Sequence, residues 1–248
     1  MFERLRSYFQ SDEELPPEQK ERIQKLEGII DTKVDNPFMY IRALRHRSML
    51  ADDNFSSVDS YERLEFLGDA VLDLIVTEII FDLFPQKNEG FLTKLRAKLV
   101  KGGSLAMYAK ELELNSLMLL GERVRGQGIE QSKSVLSDLF EALVGALYLD
   151  QGYEPTSKFV RQVIEKYVNF DEIINSLDNY KSLLLEYAQA KQMEIPTYSV
   201  ISEEGPGHDK TFGVEVFVDK KPMARGKGKS KKSAEQEAAR KALDKLEN

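Results

Sequence analysis

The chain has 248 residues, 42% hydrophobic and 31% charged, which is enough for two domains of ordinary size and typical of a globular protein. It has no cysteine and only two histidines, His46 and His208, which excludes disulfides, thiolate metal sites and a multi-histidine zinc site, and fits a reducing cytoplasm. The net charge of −7 argues weakly against a nucleic-acid partner, yet "KKPMARGKGKSKK", Lys220 to Lys232, carries seven basic residues and no acid, and it is a local patch that meets a partner.

The N-terminal "MFERLRSYFQ" has no apolar core followed by a small-residue cleavage site, so no secretory leader is expected. No apolar run reaches the roughly 18 residues of a membrane span, so no membrane partner is expected either. The chain then reads as helix after helix: "PEQKERIQKLEGII", "PFMYIRALRHRSML" with its opening proline, "YERLEFLGDAVLDLIVTEII", "GFLTKLRAKLVKGGSLAMYAKEL", "SVLSDLFEALVGALYLDQG" and "EPTSKFVRQVIEKYV". Between the fourth and fifth lies a polar, glycine-marked loop, "GERVRGQGIEQSK". This predicts an all-α domain over residues 1–172. "NFDEIINSLDN" marks the transition, with a linker at 173–179.

From residue 180 the pattern changes. "YKSLLLEYAQAKQ" reads as a helix ended by Pro196, and "TYSVISEE" as a strand. In "TFGVEVFVD", Phe212, Val214, Val216 and Val218 alternate with Gly213, Glu215 and Phe217, the period of a half-buried strand. "MARGKG" can form a short third strand, and "SKKSAEQEAARKALDKL" is an amphipathic helix with Ala234, Ala238, Leu243 and Leu246 on one side. The order α-β-β-β-α over 180–248 predicts a small α+β domain after the helical one.

Two helices carry chemistry. Glu62, Glu65, Asp69 and Asp73 fall within about 80° of one another on a helix that is otherwise apolar nearly all round. Asp138 and Glu141, three apart, share a face of a second apolar helix that offers them no lysine or arginine. The residues alone leave two readings: a solvated face, or carboxylates gathered by packing around a metal ion. An all-oxygen set suits Mg2+, with Mn2+ as a substitute, and such sites leave positions open for water and phosphate oxygens. Di-iron bundles use Glu-x-x-His pairs, and neither helix has a histidine. In the second domain, Ser230 is a good N-cap. It places Lys231 and Lys232 in a first helical turn, where they oppose the helix dipole and would be favourable only beside phosphate.

"ERLEFLGDAVL" resembles the signature of the ribonuclease III family. "RALRHRS", "NEGFLTKLRAKLV" and "SVLSDLFEALVGALYLDQG" resemble further blocks of its nuclease domain in the same order, and "GPGH" with "GKSKKSAEQEAA" resembles a double-stranded RNA-binding domain. The resemblance runs from about Pro37 to Leu246. It implies an endoribonuclease that hydrolyses double-stranded RNA with Mg2+, leaves 5′-phosphate and 3′-hydroxyl ends, and processes ribosomal and other structured RNAs. It implies Glu65, Asp69, Asp138 and Glu141 as catalytic metal ligands, with Glu62 and Glu89 supporting and Asp73 and His46 outside the chemistry. It implies a homodimer with Phe66 packed into the partner. It also implies RNA contacts from Glu186, Gln189, His208, Lys229, Lys231 and Lys232. One departure is Leu185, where the family often has glutamine; leucine can neither donate nor accept a hydrogen bond. The alternative from another class is a non-cleaving double-stranded RNA-binding protein in ribosome assembly.

Overall fold

The structure is a computed structural model that describes residues 14–51, 60–177, 180–206 and 210–247. The chain divides into two compact units between Phe170 and Asp171.

The first unit is helical. Its elements are α1 (Pro17–Ile30), α2 (Pro37–Ala43), α3 (Glu62–Leu83), α4 (Glu89–Leu99), α5 (Gly102–Glu111), α6 (Lys133–Gln151) and α7 (Tyr153–Tyr167). α6 is the central helix. From Leu139 to Leu147 all its residues except half-buried Glu141 are buried, and Phe140 packs its ring against Tyr108 and Phe159. α3 lies against it and buries Leu64, Val71, Leu72, Ile75 and Val76. The two helices come unusually close. A Cβ on Gly68 of α3 would stand 1.8 Å from the Glu141 carbonyl oxygen, and one on Gly145 of α6 would stand 2.2 Å from that of Leu64. Only hydrogen at both positions lets the backbones meet.

The other end of α6 is held by a buried carboxylate. Asp150 accepts the backbone N–H groups of Asp35 and Asn36 at 3.0 and 2.9 Å and the Tyr40 hydroxyl at 3.1 Å, which fastens the α1–α2 connection to the end of α6. With its lone pairs so used, the ion is tolerable away from water.

Several sequence-based boundaries change. The helix expected over "PFMYIRALRHRSML" stops at Ala43, because Arg45 forms a parallel bridge with Leu119: Leu119 donates to Leu44 O at 2.8 Å and His46 donates to Leu119 O at 2.9 Å. A 3-10 turn, Arg47–Ala51, follows. "GFLTKLRAKLVKGGSLAMYAKEL" divides at Val100–Lys101 into α4 and α5. The segment read as a linker is helical in its described part, as α8 (Phe170–Leu177).

In the second unit α9 (Tyr180–Ala190) precedes the antiparallel strands β1 (Thr197–Glu204), β2 (Thr211–Val218) and β3 (Lys221–Gly228), in sheet order β1-β2-β3, and α10 (Lys231–Glu247) closes it. α9 ends well before Pro196, at a turn in which Gln192 takes a left-handed backbone (φ 58) and Met193 donates to Ala188 O. The third strand is longer than the sequence pattern suggested. Leu184 and Ala188 of α9, Val214, Val216 and Val218 of β2, and Ala234, Ala238 and Leu243 of α10 form one core. Among the described residues no helix is long and apolar enough to cross a membrane.

The glycine contact yields a direct expectation. Gly68→Ala adds a methyl with no room against backbone, so it should destabilise the protein by about 1–3 kcal/mol despite alanine's better helix propensity. Gly28→Ala, on α1 with nothing within 4 Å of the new Cβ, should be neutral or slightly stabilising. Urea unfolding of the two variants checks this; equal stabilities would contradict it.

Candidate active site and RNA-binding surface

Where α3 and α6 meet, carboxylate oxygens of Glu65, Asp138 and Glu141 all lie within 4.8 Å of one another, each on a half-buried side chain. Helix spacing supplies one side from Glu65 and the other from Asp138 and Glu141, three apart on α6. Asp69 does not belong to this three-residue set. It is exposed, one turn further along α3, and acts on the set through its charge.

The electrostatics are unfavourable for carboxylates. Burial pushes Glu141 up to about 8, with Asp69, Glu65, Asp138 and Asp73 adding repulsion. Burial likewise lifts Glu65 to about 7, with Asp138, Glu62 and Asp69 contributing. Asp138 is raised chiefly by burial; a hydrogen bond from Tyr61 and the Arg47 charge act against the rise. Among the described residues no cation offsets the rise at Glu141. Such an all-oxygen set fits a hard divalent cation.

Supporting groups surround the cluster. The buried Tyr61 donates its hydroxyl to Asp138 Oδ2 at 3.3 Å, while its backbone N–H is held by Arg45 O at 3.2 Å. The His46 ring lies 5.8 Å from the Tyr61 ring, with Nδ1 2.8 Å from Ser48 Oγ. His46 therefore braces the wall. Glu62, exposed, stands 4.0 Å from Arg47 at the rim. Glu89 is exposed at the start of α4, accepts a hydrogen bond from Thr93 Oγ1 and does not join the cluster. Phe66 is 83% exposed beside the acid stripe. Sequence reasoning passed over Tyr61 and Arg47. Tyr61 stands directly before the signature, but only tertiary packing turns its hydroxyl to Asp138, 77 residues away.

In the second unit Glu186 and Gln189 are exposed on α9, and Lys229, Lys231 and Lys232 are exposed at the entry to α10. His208 lies outside the described residues. Ser230 caps α10 reciprocally: its Oγ accepts the Ser233 N–H at 3.1 Å and its own N–H donates to Ser233 Oγ at 3.0 Å. Lys231 stands 3.4 Å from Glu203, whose carboxylate also takes Lys210 at 3.3 Å.

Comparison with known proteins agrees with this two-unit fold. Residues 36–168 match the family described as Ribonuclease-III-like, and residues 180–246 match the double-stranded RNA binding motif. Ribonuclease 3 of Chlorobaculum tepidum is 45% identical over 215 residues, 86% of this chain and 79% of the relative. Ribonuclease 3 of Staphylococcus saprophyticus is 44% identical over 210 residues, 85% of this chain and 86% of the relative. A solved nuclease domain of ribonuclease III from Campylobacter jejuni, described for flexibility in a region involved in dimer formation, is 40% identical. It covers 58% of this chain and 96% of its own, with a TM-score of 0.54. A helical nuclease unit joined to a double-stranded RNA-binding unit defines the class. The chain belongs to the ribonuclease III family and is an endoribonuclease of double-stranded RNA.

The raised carboxyl groups predict a pH dependence. Glu65 and Glu141 keep their protons up to about 7 and about 8 when folded, against 4.5 ordinarily. Between those limits the folded state binds more protons than the unfolded chain, so their contribution to stability, complete below about pH 4.5, is lost as pH rises through 7 and 8. Calorimetry in chelator should show that this pair lowers Tm on going from about pH 5 to about pH 8, with Glu65→Gln plus Glu141→Gln flattening the slope. Added Mg2+ should raise Tm more at the higher pH, where the carboxylates are ionised. A double variant with the wild-type slope would contradict the assignment.

Proposed function

We propose that Glu65, Asp69, Asp138 and Glu141 are the catalytic carboxylates of a Mg2+-dependent hydrolysis that leaves 5′-phosphate and 3′-hydroxyl ends, with Mn2+ able to substitute. The observation that carries this reading is the cluster of Glu65, Asp138 and Glu141, desolvated and mutually repelling. When bound there, the ion supplies a water of lowered pKa and neutralises charge at the phosphodiester. The chain's own part is to hold the ligands still. Glu65 and Asp138 approach from facing helices, Tyr61 orients Asp138, and Glu141 gives up its proton as the site fills. Asp69 completes the set from its exposed position one turn along α3. Glu62 and Arg47 form the rim, with Glu62 and Glu89 in supporting roles.

The second unit supplies affinity. Glu186 and Gln189 on α9 meet a minor groove, and Lys229, Lys231 and Lys232 meet phosphate at the N-terminus of α10, where the free N–H groups favour an anion. His208 is assigned to the neighbouring groove on the family resemblance alone. We read the domains as 1–172 and 180–248, the place of action as the cytoplasm, and the substrates as ribosomal and other structured RNAs.

The nuclease unit pairs with a second copy. Phe66, Leu74 and Phe81 are exposed apolar side chains on α3. They fall within about 80° of one another, next to the acid stripe. An apolar stripe left wet on a helix marks an interaction surface, and the Campylobacter jejuni nuclease domain is described by a region involved in dimer formation.

Glu141→Ala should abolish cleavage of a labelled duplex, by at least about 100-fold, while leaving its binding intact. Loss of binding in step with cleavage in a folded variant would refute that division of labour. Phe66→Asp should convert dimer to monomer in sedimentation experiments and stop cleavage of both strands. A stable wild-type monomer at micromolar concentration would refute the pairing.

A further inference from the structure

The RNA-binding unit holds a groove of about 590 Å³ between the start of α9, the residues entering β1 and the first turns of α10. Its apolar lining is Leu185, half-buried, Ile195, 67% exposed, Pro196, buried, and Tyr198, half-buried, with Ser182, Glu235 and Gln236 as its polar lining. Lys181 and Lys232 stand at its edges. We propose that this groove takes an unpaired nucleotide, one bulged out of the duplex that the unit binds. The proposal rests on the duplex-binding surface assigned above.

Three observations support this occupant. The first is continuity. Leu185 lies next to Glu186 and one turn before Gln189, and Lys232 lies in the first turn of α10, so the groove opens onto the surface assigned to the duplex. The second is chemistry. Paired bases in an A-form helix keep their faces in the stack and offer protein only edges, ribose and phosphate, which gain little from an apolar floor. A base already out of the stack has a free apolar face, and covering it is favourable for any base. The volume is in the range of small-ligand sites.

The third is charge. The two edge lysines differ. Lys181 is held by Glu235 at 2.6 Å, with its ammonium 4.5 Å from the centre of the Tyr198 ring, so it serves as a fixed wall. Lys232 has no ion pair among the described residues, whereas its neighbour Lys231 is taken up by Glu203. Lys232 is thus the cation available to the phosphate of a nucleotide that turns into the groove.

The experiment uses the full-length protein in chelator, so that no cleavage occurs, and two RNAs of equal length. One is fully paired and the other carries a single bulged nucleotide. Wild type should bind the bulged RNA about five- to tenfold more tightly. Ile195→Asp, a change at an exposed side chain, should bring the ratio to about one while leaving the affinity for the paired RNA unchanged. Leu185→Gln should lower the ratio in the same direction. Equal affinities in wild type would overturn the proposal, as would a preference that survives Ile195→Asp. Failure to bind either RNA would instead overturn the duplex-binding surface, and the groove's role with it.

Discussion

The backbone contact between Gly68 and Gly145 governs the nuclease unit. Two helices with wide buried apolar faces could pack at many offsets. Two missing side chains select the one in which the backbones touch. Gly68 meets the carbonyl of Glu141 itself, and Gly145 meets that of Leu64, the residue before Glu65, so both acids sit at the closest approach. Their proximity follows from the packing. The ordinary separation of two helix axes, about 8–10 Å, leaves facing side chains to fill the gap. Here the gap closes, and the carboxylates that flank it are half-buried.

Asp150 and Glu141 show how the same chemical group serves two ends on one helix. Asp150 is buried more deeply, yet two backbone N–H groups and a tyrosine hydroxyl satisfy it, and it fastens a loop. Glu141 is half-buried among other acids and is pushed up to about 8. Asp150 gathers donors, whereas Glu141, proposed above as a metal ligand, is left short of them. The protein tolerates the second because the frame around it, from Asp150 at one end of α6 to the Phe140 cluster along its length, is well satisfied.

The RNA-binding unit shows a related compromise. Ser230 and Ser233 cap α10 reciprocally, which fixes the direction of its first turn. Lysines in that turn oppose the helix dipole at a cost of a few tenths of a kcal/mol. Glu203 offsets part of this by pairing with Lys231 and Lys210, but as an exposed arrangement it holds them only loosely.

The periodicities were legible in the sequence because they are local. Positions three and four apart share a helix face and alternate positions share a strand face, so the acid stripes, the α-β-β-β-α order and the Ser230 cap could be read directly. The family resemblance suggested roles for particular acids. What required the tertiary structure was whatever depends on distant segments. The helix beginning at Pro37 ends at Ala43 because Leu119 claims the backbone of residues 44–46. Tyr61 reaches Asp138, and Asp69 falls outside the tight carboxylate set, because of the offset at which α3 crosses α6. Local spacing specifies which side chains share a face. The packing of one backbone against another decides which faces meet, and how closely.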